Sequence, residues 1–278
     1  GETRLASGSA EFCGGKGANQ AVAAARAGGI VSMIGSVGDD PFAKRLIDNL
    51  HENRIDTDAV RGECGQASGL AVITVDREGQ NSIIVLPGAN ERVTIEWVEQ
   101  NRSVIEQADC LIVQLEIPYD SVMKGIEIAR QSGVRTILDP APAPTTIPSG
   151  LFGVDLVCPN ETEAALITRY DLGEEDALPH AASKLRSMGA RKVAITLGEK
   201  GTFLSTGDAE TKVPSLSIDP VDTTAAGDAY AGALAVEWCR TDSLERAVQF
   251  ASAAGALAAC KAGAQQSIAN EEEIRSRL

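Results

Sequence analysis

The stretch Asp222-Thr-Thr-Ala-Ala-Gly-Asp228 holds the residue types with the clearest chemical purpose in the chain. Two carboxylates bracket a run of small side chains, and an alanine-rich helical pattern follows at once. Small residues let a phosphate come close to the backbone, and the first N–H groups of a helix have no partner within it. Such a turn is a ready anion site. Asp228 stands at its mouth, where a carboxylate can accept a proton from an attacking hydroxyl. The arrangement predicts phosphoryl transfer.

Five other segments carry groups of the same kind. Cys13-Gly-Gly-Lys-Gly-Ala-Asn-Gln20 is a glycine-rich turn opening a helix, with neither Walker A nor dinucleotide spacing. Lys16 and Asn19 could meet hydroxyls or phosphate there, or simply decorate a helix start. Gln114-Leu-Glu116 ends an apolar run, so its carboxylate either bonds a ligand hydroxyl or caps a loop. In Pro159-Asn-Glu-Thr-Glu163 the acidic residues suit a helix first turn through the dipole alone. The alternative uses Asn160 and Glu163 on the water shell of a Mg²⁺ that carries phosphate oxygens. Thr196-Leu-Gly-Glu-Lys-Gly201 reads as a plain hairpin or as a tight turn passing a nucleotide. Lys261-Ala-Gly-Ala-Gln-Gln-Ser267 leaves a helix at Gly263, where free carbonyls bind a monovalent cation or water.

The elements that must position these groups alternate in type. Helices are expected over 17–27, 41–53 (capped by Asp39 or Asp40), 119–131, 160–168 and 179–189. Strands are expected over 30–37, 109–115, 134–139, 154–158 and 192–197. That rhythm predicts a mostly parallel sheet with helices on both faces. Two apolar runs at 68–75 and 81–86, around Asp76-Arg-Glu-Gly79, break the rhythm and read as a separate hairpin flap. Asp139-Pro-Ala-Pro-Ala-Pro144 follows a strand directly, as a stiff loop at the sheet's C-terminal edge. Ligands bind along that edge in open α/β sheets.

Composition narrows the function classes. With 278 residues, 44% apolar and 23% charged, the chain can bury a large core and looks like an ordinary soluble protein. A net charge of −14 argues against nucleic-acid or anionic-membrane partners, so a polyphosphate must be held by local donors and metal ions. Six scattered cysteines and two histidines make a zinc site or a histidine triad a poor fit and suit a reducing cytoplasm.

In their order and separation these segments resemble the ribokinase-like (phosphofructokinase B-type) carbohydrate kinases over nearly the whole chain. The family's two signatures correspond to the region 14–29 and to 222–234. The resemblance implies one kinase domain with a three-layer α/β/α fold, a mostly parallel central sheet and a small β-sheet lid from about 1–13 and 68–90. It implies ATP-dependent phosphorylation of D-ribose at its 5-hydroxyl. Other readings within it are deoxyribose, a keto-deoxy sugar acid, a nucleoside, or a non-catalytic sugar- or nucleotide-binding relative.

The resemblance also implies roles for particular residues. Asp228 is similar to the catalytic base, and Ala225, Ala226 and Gly227 to the anion hole for the γ-phosphoryl group. Gly15, Lys16, Asn19 and Glu116 match sugar-holding positions. Asn160 and Glu163 match the Mg²⁺–phosphate motif, and Thr196, Gly198 and Gly201 match the nucleotide loop. Ser252 falls where an asparagine near the adenine is common. An activating K⁺ would draw on Asp222, Thr224, Ala258, Lys261, Gly263 and Ser267. Paired lids imply a homodimer. The opening Gly1-Glu-Thr matches a segment that in the family follows a first strand and an Asn-x-Asp sugar motif. That places roughly two dozen family residues upstream of Gly1, judged by ordinary strand and loop lengths.

Overall fold

In the computed structural model, residues 8, 10–75, 81–144, 146–174 and 176–278 are described. The first half runs α1 (Lys16–Arg26), β1 (Gly35–Val37), α2 (Pro41–Glu52), β2 (Val60–Gly62), β3 (Leu70–Val75), β4 (Asn81–Leu86), α3 (Ile95–Gln100), α4 (Arg102–Glu106), β5 (Cys110–Val113) and α5 (Tyr119–Ser132). The second half runs β6 (Arg135–Leu138), β7 (Leu156–Val157), α6 (Glu161–Thr168), α7 (Ala177–Ser187), β8 (Lys192–Thr196), β9 (Thr202–Ser205), β10 (Glu210–Val213), α8 (Ala226–Thr241), α9 (Leu244–Ala259) and α10 (Glu271–Arg275).

A six-stranded sheet in the order β10-β9-β8-β7-β6-β5 forms the middle layer. Its β5, β6, β7 and β8 are mutually parallel, whereas β9 and β10 return antiparallel as a meander. Successive side chains of a strand leave on opposite faces. Leu138, Val157, Val193 and Ile195 pack on one side with Val122, Ile126, Ala164, Ala181 and Leu185 of α5, α6 and α7. Ile137, Leu156, Ala194 and Leu204 pack on the other with Tyr230, Leu234, Trp238, Val248 and Ala251 of α8 and α9. The three-layer α/β/α architecture is thus present.

All five expected strands are shorter than the sequence pattern predicts, β5, β6 and β8 by one to three residues, and for β7 and β1 the neighbouring contacts show why. Expected over 154–158, β7 spans only Leu156–Val157, and on its β6 side the Asp155 carboxylate takes the N–H and hydroxyl of Thr136 in place of a backbone partner. Expected over 30–37, β1 ladders only over its last three residues. Upstream, Ser32 makes a single bridge to Asp56 and the Ile30 side chain lies in solvent. β1 pairs in parallel with β2, outside the six-stranded sheet.

The hairpin β3–β4 forms a sheet of its own, in the register Leu70↔Leu86 to Val75↔Asn81. Its connecting turn at 76–80, and most of the expected lid segment at about 1–13, lie outside the described residues. At the hairpin's base Asp40 does double duty. Its carboxylate caps α2 by accepting from the N–H groups of Phe42 and Ala43, and it accepts from the N–H and hydroxyl of Ser68. No helix among the described residues is long and apolar enough to cross a membrane.

Candidate active site

The C-terminal ends of the parallel strands deliver one polar group after another to a single edge. Past the end of β5 comes Glu116, past β6 Asp139, past β7 Asn160, and at the end of β8 Thr196. Asn160 and Thr196 touch through an isolated parallel bridge that extends the β7–β8 ladder. Two helix N-termini, of α1 and α8, supply the remaining groups.

Gly15 precedes α1 with φ 92°, a left-handed conformation that a side chain would strain, and space lies open where its Cβ would be. The turn brings the Lys16 N–H onto Glu116 Oε2 at 2.8 Å. One helical turn on, Asn19 and Gln20 point at the first turn of α8. Asn19 Nδ2 donates to Asp228 Oδ2 at 2.8 Å, and Gln20 Nε2 donates to Asp228 Oδ1 at 3.3 Å and to Asp139 Oδ2 at 2.8 Å. Asp228 is only 4% exposed.

The electrostatics follow from that enclosure. Burial pushes the Asp228 carboxyl above the ordinary carboxylate range and the negative Glu116 adds to it, against the pull of Lys16, Asn19 and Gln20. Asp139 is pushed higher still, again by burial first, with Asp228 and Glu163 as like charges and Lys16 opposing. Burial alone would lower Lys16, yet Asp139, Asp228, Glu163 and Glu116 together hold its ammonium above the usual lysine value. A cation therefore stands among four acids. A carboxylate of raised basicity, kept in place by two amides, is equipped to take a proton from a hydroxyl.

The anion site at α8 is present in outline. Ala225 is the N-cap residue, the Ala226 N–H turns back to the Thr223 carbonyl at 3.2 Å, and Gly227 is exposed with nothing near its missing Cβ. The first-turn N–H groups that remain are open to an approaching phosphate.

Both readings of Asn160 and Glu163 meet in one arrangement. Asn160 Oδ1 accepts the Glu163 N–H at 2.8 Å and Glu163 Oε2 accepts the Asn160 N–H at 2.9 Å, a reciprocal capping box. Each side chain keeps one polar atom outside the box. No group of three or more His, Cys, Asp or Glu side chains among the described residues could hold a metal directly. The donor set thus fits Mg²⁺ through water and phosphate oxygens, not a protein cage. The loop after β8 is a hairpin turn: Leu197 N donates to the Gly201 carbonyl, and Gly201, at φ 89°, lies against the Val213 carbonyl where no Cβ could fit. Gly198 is open to solvent on its outer side.

The cation candidates also assemble. Asp222 Oδ1 accepts from the N–H and hydroxyl of Thr224, and its Oδ2 accepts from the Gly263 N–H at 2.9 Å. These bonds outweigh burial and hold the carboxyl below its ordinary value. The Ser267 hydroxyl bonds the Ala264 carbonyl, and the Ala258 carbonyl receives the Lys261 N–H. The Lys261 ammonium reaches away to Glu273, so only its backbone could face a cation. Ser252 lies on α9 with a buried hydroxyl that has no partner among the described residues.

Gln20 and Asp139 are the site residues that sequence reasoning missed. Positions 16, 19 and 20 share one helix face, which was a legible signal. Asp139 ends an apolar strand as Glu116 does, but the prolines after it drew attention to the loop instead.

Comparison with known proteins places this geometry. The profile of the pfkB family carbohydrate kinases matches residues 1–271. The chain is 37% identical to the ribokinase of Haemophilus influenzae over 260 residues, 94% of this chain and 85% of that protein. It is 34% identical to a deoxyribokinase of Salmonella typhi over 267 residues, 96% of this chain and 87% of that one. The structure of Arabidopsis thaliana ribokinase complexed with ribose and ATP superposes with a TM-score of 0.92 at 29% identity, covering 99% of this chain and 90% of the other. The chain belongs to the pfkB family of carbohydrate kinases.

Proposed function

We propose that this kinase transfers the γ-phosphoryl group of ATP to the 5-hydroxyl of D-ribose, with Asp228 as the base. The observation that carries the reading is Asp228 itself: buried, raised in basicity, and fixed between Asn19 and Gln20 beside an open helix N-terminus. Similarity to a ribokinase at 37% identity over 94% of the chain supports the choice of sugar. Glu116, Lys16 and Asn19 hold the sugar's other hydroxyls. Asn19 Oδ1, buried and without a partner among the described residues, is an acceptor waiting for a hydroxyl donor. The N–H groups of Ala225 and Gly227, with that of Ala226 once it leaves the Thr223 carbonyl, receive the moving phosphoryl group, and the loop at 196–201 lies along the nucleotide.

Catalysis of this kind is positioning together with stabilisation of charge. Mg²⁺, held through water by Asn160 and Glu163, neutralises phosphate charge when bound. Lys16 offsets the negative field of the four acids, so an anionic phosphoryl group can enter. Asp222 and the 258–267 loop would hold a monovalent cation, whose charge would steady the turn that presents the anion site. The test is Asp228→Asn. Turnover should fall by ~10²–10⁴-fold with ribose affinity little changed, the usual contribution of a general base. Near-normal turnover would remove Asp228 from that role.

Similarity to a deoxyribokinase supports 2-deoxyribose as a second substrate. Comparing kcat/KM for the two sugars decides between them. The hairpin β3–β4 is the lid over the sugar, and its apolar surface the dimer contact. Val72 and Ile84 stand opposite each other on one face and Ile73 and Val85 are exposed on the other, so one face is left for a second copy once the sugar is covered.

A further inference from the structure

We propose that Gln20 and Asp139 act as a positioning pair behind the base, Asp139 fixing the Gln20 amide and Gln20 fixing the Asp228 carboxylate. The inference rests on the reading of Asp228 as base. Its own footing is the geometry: a single amide nitrogen donates to two buried carboxylates, Asp139 Oδ2 at 2.8 Å and Asp228 Oδ1 at 3.3 Å. An NH₂ group has two hydrogens, and here each serves a different acid. Gln20 is 2% exposed and Asp139 7%, so neither reaches a substrate freely. Burying carboxylates is costly, and apolar side chains of similar size would seal a helix–sheet contact as well. A buried carboxylate and its amide partner in such a place therefore have a task beyond packing.

That task is aim. Asp228 has one oxygen held by Asn19 and the other by Gln20, and the donors are consecutive residues of α1. Two donors fix the plane of the carboxylate while leaving a lone pair free for the hydroxyl proton. Gln20, a flexible side chain, needs an anchor of its own, and Asp139 at the end of β6 supplies it. The charged and titratable groups around the pair are Lys16 on α1, Glu116 after β5, Glu163 on α6, and the Cys158 thiol, which feels the Asp139 charge.

The experiment measures ATP-dependent ribose phosphorylation against pH for the full chain and four variants: Gln20→Met, Asp139→Asn, the double variant, and Asp228→Asn. Gln20→Met should lower kcat about ten- to a hundredfold, the effect of misplacing a catalytic group, with the ribose KM within about threefold of the starting value. The acid limb of its kcat/KM profile should move to higher pH, because the lost donor favoured the ionised carboxylate. Asp139→Asn keeps the shape and should lower kcat less. The double variant should be no worse than Gln20→Met alone to within about twofold, since both act on one carboxylate.

Losses that multiply in the double variant would show separate roles and overturn the pairing. So would unchanged kcat and an unmoved acid limb with only a lower melting temperature, which would make the contact plain packing. A raised Mg²⁺ requirement in Asp139→Asn, with Gln20→Met unaffected, would reassign Asp139 to the phosphates. An active Asp228→Asn would remove the base and this pair together. An inactive Asp228→Asn beside a normal Gln20→Met would remove the pair alone. If Gln20→Met misfolds, Asp139→Asn carries the same comparison.

Discussion

Gly232 lies where α8 crosses α1, and adding one methyl group there tests whether that crossing sets the site. A Cβ at this position would stand 2.5 Å from the Gln20 carbonyl, 2.6 Å from the Ala23 Cβ and 2.7 Å from the Ala24 nitrogen. None of these is the end of a flexible side chain, so the helices must part. Opening the tightest contact to an acceptable ~3.4 Å needs about 0.9 Å of movement. If α1 moves by that amount, the Asn19–Asp228 bond of 2.8 Å lengthens to about 3.7 Å, beyond hydrogen-bonding distance. Overpacking costs ~1–3 kcal/mol, and replacing a helical glycine by alanine returns ~1 kcal/mol, so Gly232→Ala should be destabilised by up to about 2 kcal/mol. Its kcat should fall about ten- to a hundredfold, because the base loses its alignment. Urea unfolding followed by tryptophan fluorescence gives the first quantity, and steady-state kinetics on the folded fraction gives the second. Gly125→Ala on α5 is the control: its Cβ would find its nearest neighbour at 3.6 Å, so it should be neutral or stabilised by up to ~1 kcal/mol and fully active. Full turnover and unchanged stability in Gly232→Ala would refute the argument that the α1–α8 spacing aligns the base.

Activity should fall when K⁺ is replaced by Na⁺ or Tris, and Asp222→Ala should abolish the difference between the cations; a variant that still discriminates between them would place the ion elsewhere. Ile84→Lys should turn a homodimer into a monomer in sedimentation velocity at micromolar protein, whereas a native chain already monomeric there would contradict the lid contact. Asp40→Ala should lose about 1–2 kcal/mol at pH 7, as a lost helix cap does, and should raise the ribose KM by loosening the hairpin base. The Ser68 N–H first, then its hydroxyl and the N–H groups of Ala43 and Phe42, hold the Asp40 carboxyl below its ordinary value against the cost of burial. That contribution is complete above the unfolded pKa of ~3.9 and disappears as pH falls through the lower folded value. Stability curves of wild type and Asp40→Ala should therefore converge in acid, and parallel curves would show that the charge is immaterial.

The fold was legible because its determinants are local. Apolar strand runs, capped amphipathic helices and the interrupting hairpin can each be read within ten or so residues, and the parallel sheet follows from their alternation. Shorter strands were not legible where a side chain replaced the ladder, as Asp155 does beside Thr136. In the site, Asp228, Asn19, Lys16 and Glu116 were read individually and the structure brings them together. What spacing could not reveal is the bridge through Gln20, since it depends on how three distant segments meet. Asn160 and Glu163 show the opposite limit. Their capping box is fully local, so sequence spacing alone could not divide structural duty from metal duty.

Asn19 and Asp228 meet across 209 residues of chain. At ~5–20 residues per second on the ribosome, α1 waits roughly 10–40 s for the helix that completes the site. During that interval the amides of Asn19 and Gln20 and the alanine face beside them have no partner, and the half-built sheet lacks the layer that α8 and α9 provide. Catalytic competence is thus acquired only after α8 has been synthesised. Turnover per molecule then reports whether α1 and α8 have found each other, which makes it a sharper gauge of complete folding than helix content.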